Sequence, residues 1–216
     1  MKLLAPATLF GAALASRTQT TTSFQGSCPA IKPMDNFKLL PYTGHWWNIG
    51  VSPFFWNFEN SKCITVDITL DTELPNFYNL VTKTLLPSGF SSTANARGIF
   101  QAETPGLMSV SFYWEPTPGQ NNYNIIDTDY ENYAYIWSCI DKVPGQVGRF
   151  FGNQQRFSAS LWVNVRDPNI SEIEKQAHIE RAWKILEEQG WDKAEVFGAA
   201  IQTVASNNCP NFNTIF

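Results

Sequence analysis

Residues 123–139, YNIIDTDYENYAYIWSC, constrain the fold more than any other stretch of the chain. Two runs rich in aromatic and β-branched residues, 123–126 and 133–137, flank a polar turn that carries Asp, Thr and Asn. Such side chains pack well on a pleated surface, and Asp and Asn bond locally to turn backbone. The stretch reads as a β-hairpin. Residues 63–70 alternate cleanly, with Ile64, Val66, Ile68 and Leu70 opposite Thr65, Asp67 and Thr69, which is the period of a half-buried strand. Residues 107–114 alternate again, with Met108, Val110 and Phe112 opposite Ser109 and Ser111. Further strands are expected over 44–51, 77–86, 96–103 and 157–165, with turn-forming clusters between them at 71–76, 87–92, 104–106, 115–122 and 143–153. This spacing predicts an all-β sandwich or barrel rather than a βαβ fold.

One helix comes late. Ser171 and Glu174 have the spacing of a capping box, and Gly190 stands where a helix would end. Between them Ile179, Ala182, Trp183 and Leu186 form one apolar stripe, so the helix should pack on the outside of the sheet.

The 216 residues suffice for one domain with a sizeable core. Residues 1–15 read as a secretory signal peptide: Lys2, a short apolar run, then Ala13-Leu14-Ala15 as a cleavage site. That run is too short to span a bilayer. Residues 16–32 are expected to form an N-terminal arm and 33–216 the folded domain. A secreted chain with Cys28, Cys63, Cys139 and Cys209 points to two disulfides, in any of three pairings. Without a CxxC, a zinc site is not expected, nor any other metal. A net charge of −4 with no basic stripe argues against nucleic acid as a partner. Asn169-Ile170-Ser171 is a sequon, so Asn169 is a glycosylation candidate.

Three blocks stand in order: Gly44-His45-Trp46, Thr128-Asp129-Tyr130, and Arg166 between the last strand and the helix. Together they resemble the three signature regions of the lipocalin family. DTDYENYAYIWSC, FENSKC and NNCP are most similar to its apolipoprotein D-like branch, which includes insect and crustacean pigment carriers. The resemblance runs from about Pro33 to Pro210. It implies an eight-stranded antiparallel up-and-down barrel, open at one end, with the helix on its flank. It assigns structural roles to Gly44, Trp46, Thr128, Asp129, Tyr130 and Arg166, with the Arg166 guanidinium across the Trp46 indole at the barrel floor. It also implies the pairings Cys28–Cys139 and Cys63–Cys209.

Given such a barrel, strand parity names the inward faces. If Trp46 faces in, so do Asn48 and Gly50; the other strands offer Val66, Ile68 and Leu70, Val110 and Phe112, Tyr123 and Ile125, Ala134 and Ile136, and Ser160, Trp162 and Asn164. Trp162 also matches a family pocket position. An apolar wall with a few polar groups is the usual make-up of a ligand site. The loop bearing Phe54, Phe55, Trp56 and Phe58 could cover the mouth, with Phe55 and Trp56 on the ligand, or touch a lipid surface.

The function implied by the resemblance is a secreted carrier of a small hydrophobic molecule: a fatty acid, sterol, retinoid, or a bilin or carotenoid pigment. The ligand would be non-covalent and no cofactor is required. A link to lipid metabolism or oxidative stress is implied too, with Met108 either sacrificial or simply core. A lipocalin-type isomerase needs a nucleophilic Cys, and the expected disulfides use all four. His45 and His178 are the only imidazoles, and no catalytic triad is visible, so an enzyme is not expected. Monomer and homo-oligomer both stay open.

Overall fold

The computed structural model describes residues 24–51, 61–101, 103–112, 123–142, 156–191, 202–206 and 209. The expected signal peptide, the segment 16–23 and the aromatic loop with Phe54, Phe55, Trp56 and Phe58 lie outside them.

Eight strands form the barrel: β2 (Gly44–Val51), β3 (Lys62–Leu70), β4 (Phe77–Leu85), β5 (Ser91–Phe100), β6 (Leu107–Phe112), β7 (Tyr123–Thr128), β8 (Tyr133–Lys142) and β9 (Arg156–Val165). Each pairs antiparallel with the next, and β9 pairs back onto β2, which closes the sheet. A short helix α1 (Leu39–Tyr42) precedes β2, and α2 (Glu172–Glu188) follows β9. Short terminal strands add to the sheet: β1 (Phe24–Gln25) on β9, and β10 (Gln202–Thr203) on β2.

β5 starts at Ser91, five residues before the alternation in its own sequence becomes visible. SSTANA has weak strand preference, but every residue from Ser91 to Ile99 is in register with β4, and that pairing outweighs local propensity. The turn before it is tighter than expected, with the Leu86 amide on the Phe90 carbonyl and Gly89 at φ 85°.

The helix follows its sequence. Ser171 accepts from the Glu174 amide and Glu174 reaches back to the Ser171 amide, a complete capping box. Gly190 at φ 89° ends the element in the left-handed region. Ile179, Ala182, Trp183 and Leu186 pack on the outer face of β8 and β9, against Tyr135, Trp137, Leu161 and Val163. Lys175 shares this buried face, its ammonium 2.7 Å from Glu172.

A second apolar cluster lies inside the barrel and includes Trp46, Val66, Ile68, Tyr78, Met108, Ile125 and Ile136. Three bulges reset parity, one of them in β3 between Lys62 and Thr65. In β2 the register shifts between Asn48 and Gly50, so Val51 rather than Gly50 pairs with Trp162, and Gly50 pairs with outward-facing Val163. The inward assignment of Gly50 from simple alternation is corrected by this extra residue. In β7 a shift between Ile125 and Asp127 sends Ile126 to the helix side and returns Thr128 to the row of Ala134. Leu70 has inward parity but lies past the floor and is exposed.

The two disulfides tie the terminal segments to the barrel. Cys28, just after β1, is bonded to Cys139 on β8, and Cys63 on β3 to Cys209. The C-terminal segment runs between β2 and β3, with the Val204 amide on the Ile49 carbonyl and the Cys63 amide on the Ala205 carbonyl.

Candidate ligand chamber

The closed end is built around Arg166. Its guanidinium carbon lies 3.5 Å from the centroid of the Trp46 ring. Its nitrogens donate to four backbone carbonyls: Nε to Tyr130, Nη1 to His45, and Nη2 to Pro41 and Thr43. One cation thus ties α1, the start of β2 and the β7–β8 turn together. Gly44 makes room for it. It sits at φ 100°, and a Cβ there would lie 3.2 Å from Arg166 Nη1, so both backbone and space require glycine.

The β7–β8 turn serves the same end. Asp129 accepts from the amides of Asn132 and Tyr133, and these bonds hold its carboxyl below the usual range against the opposing effect of partial burial. Thr128 donates to the Tyr133 carbonyl, and the Tyr130 hydroxyl accepts from the Lys38 amide. Phe37 packs beside Tyr42 and Tyr130.

Above this floor the inward rows change character. Trp46, Ile68, Met108, Ile125, Ala134 and Ile136 are all fully enclosed. Toward the opposite end, β4 and β5 continue the same rows with Thr82, Ala94 and Ser92, and β8 and β9 with Ser138 and Trp162, all half-buried. Small polar side chains are thus commoner there than at the base, but Thr84, Ser160, Val51 and Ile64 are enclosed at the same end, the last two in a small apolar cluster with Val204.

Polar groups sit at two heights. In mid-barrel Asn48 Nδ2 donates to Asn164 Oδ1 at 2.9 Å, while Asn48 Oδ1 has no partner among the described residues. Lower down, three phenols cluster. Tyr42 and Tyr123 hydroxyls are 3.2 Å apart. Tyr78 lies flat across Gly98, its partner on β5, where a Cβ would be 2.0 Å from the ring. Burial pushes Tyr123 up to about 12 and holds Tyr42 and Tyr78 well above the ordinary phenol range.

Of the residues expected to meet a ligand, Asn48, Val66, Ile68, Val110, Tyr123, Ile125, Ile136 and Trp162 all belong to or border the interior. Ile68, Ile125 and Ile136 lie in its enclosed part, and Trp162 in its open part. Phe112 pairs with Ala96, but its side chain falls outside the described part of the molecule, as do Phe55 and Trp56. Asn169 is exposed beside Asp167. Met108 is fully enclosed, as a core side chain would be. The phenol cluster was not anticipated. Its signal was Gly98 inside a strand, which marks a close approach.

Neither histidine reaches the interior: His45 bonds Asp67 on the outer face, and His178 bonds the Tyr135 hydroxyl beneath α2. All four cysteines are in disulfides. Among the described residues no group of acidic, His or Cys side chains is placed to hold a metal.

A closed antiparallel barrel, a guanidinium stacked on the floor tryptophan and a helix on the flank define a lipocalin. The chain is 31% identical to rat (Rattus norvegicus) apolipoprotein D over 138 residues, 63% of this chain and 69% of that one. No family model matches it. Its fold is similar to apocrustacyanin C1, with TM-score 0.61 and 17% identity over 88% of this chain and 94% of that one. It is also similar to insecticyanin from the tobacco hornworm Manduca sexta, with TM-score 0.58 and 19% identity over 78% and 83%. The chain belongs to the lipocalin family, among the relatives of apolipoprotein D.

Proposed function

We propose that this protein is an extracellular carrier of a small, mainly apolar molecule, held between the barrel floor and the open end. One observation carries the reading: beyond the enclosed floor several inward positions, Thr82, Ser92, Ala94, Ser138 and Trp162, are only half-buried, although Val51, Ile64, Thr84 and Ser160 at the same end are enclosed. A barrel meant only to be filled would keep bulky side chains throughout. Enclosing an apolar ligand there gains roughly 25 cal/mol per Å² removed from water, and no chemistry is required.

Asn48, Val66, Val110, Tyr123 and Trp162 form the wall in this reading, with Phe55 and Trp56 at the mouth. Two disulfides suit an oxidising compartment, which supports residues 1–15 as a leader, 16–32 as the arm and 33–216 as the carrier domain. Asn169 is exposed as a glycosylation site should be. With every thiol bonded, an isomerase that depends on a free Cys has no nucleophile.

The test is mass spectrometry of small molecules extracted from the native protein, with an absorption spectrum of the same sample. An apolar compound in a stoichiometric amount is expected, and a visible band would narrow it to a pigment. If nothing apolar co-purifies, and fatty acids, sterols, retinoids and bilins all leave tryptophan fluorescence unchanged, the carrier reading falls.

A further inference from the structure

We propose that the phenol cluster selects ligands with a neutral oxygen at the buried end, a ketone, aldehyde or alcohol, over those ending in a carboxylate. This rests on the carrier reading. Tyr42 and Tyr123 share a single hydrogen bond at 3.2 Å, so the proton of one of these hydroxyls is left over. Tyr78 Oη is buried and has no partner among the described residues. Tyr78 cannot easily swing aside, because its ring lies against the bare Cα of Gly98 and is fully enclosed. Two phenolic donors of one apolar cluster inside the barrel therefore lack an acceptor among the described residues, and Tyr123 is the least buried of the three tyrosines.

An oxygen that accepts from both would satisfy them, and leaving a buried hydroxyl unpaired is costly. Charge decides which oxygen. Among the described side chains, none that faces the interior is charged. Arg166 is the nearest cation in the floor, and it is committed to four backbone carbonyls and the outer side of the Trp46 ring. A carboxylate would leave water for a site with donors but no counter-charge, which penalises the anion far more than a neutral carbonyl or hydroxyl. The burial that drives the phenols up acts on a bound carboxyl in the same direction.

The experiment compares retinol with retinoic acid, and oleyl alcohol with oleate, by tryptophan quenching on the disulfide-bonded protein at neutral pH. Each pair shares one carbon skeleton. The expected result is that the alcohol binds about tenfold tighter than its acid, and that Tyr78→Phe removes most of that preference while the acid is little changed. The acid should also gain affinity as the solution is taken down to about pH 5, where more of it is neutral. Tyr123→Phe serves as a second variant with the same readout. Equal binding of alcohol and acid, or an equal loss of both on Tyr78→Phe, overturns the selection and leaves the carrier reading standing. If neither pair nor any other apolar compound quenches, the carrier reading fails and the selection with it.

Discussion

The two ends of this barrel are made from the same eight strands but are held by different means. At the closed end the inward side chains are large and enclosed, and one cation bonds four carbonyls. At the opposite end many are small or half-buried, beside a small enclosed cluster of Val51, Ile64 and Val204, and the two disulfides tie the terminal segments to β3 and β8. Packing and polar bonds coincide at the closed end, and the proposed ligand would lie where they do not. The difference teaches that substitutions should separate cleanly: changes at the floor should cost folding energy, and changes near the mouth should cost affinity.

The strongest way to break this contrast is Arg166→Ala. It removes the stacked cation and leaves four carbonyls short of a donor, so a loss of about 3–5 kcal/mol is expected in urea unfolding. A loss under ~1 kcal/mol would mean that the floor is not organised by this residue. Alkaline pH probes the layer just above. Tyr123 has its pKa raised in the folded state to about 12, so its contribution is complete below the free-phenol value near 10 and is lost as pH rises through about 12. That amounts to about 2 kcal/mol by pH 12, and Tyr42 and Tyr78 act in the same direction. Absorbance at the phenolate band, followed against unfolding, should show these three titrating late. An early, ordinary titration would place them in water. The smallest stability effect belongs to Trp162→Ala, about 1 kcal/mol or less, because the ring is half-buried. The same change should weaken apolar-ligand quenching markedly. If it destabilises as much as Arg166→Ala, the mouth half is core and the contrast fails.

Much of this division was legible in the sequence. Alternation in residues 63–70 and 107–112 named the interior rows, because a strand's side-chain period is fixed by its backbone. The late helix was marked by its cap and its apolar stripe. The extra residues in β2, β3 and β7 were not legible, since a bulge leaves no fixed residue type behind; Gly50 was misplaced for that reason. The start of β5 was hidden because SSTANA becomes a strand only through its neighbour β4. The phenol cluster depends on three tyrosines from α1, β4 and β7; alternation placed only Tyr123 inward and could not bring Tyr42 and Tyr78 to it.

The terminal strands carry one more consequence. β1 takes up the edge of β9 beyond its pairing with β2, and β10 takes up the edge of β2 beyond its pairing with β3. The barrel thus has eight staves at its base and ten at its rim. Both terminal strands are therefore part of the sheet at that rim, and trimming either would leave an edge of β9 or β2 without its hydrogen-bonding partner.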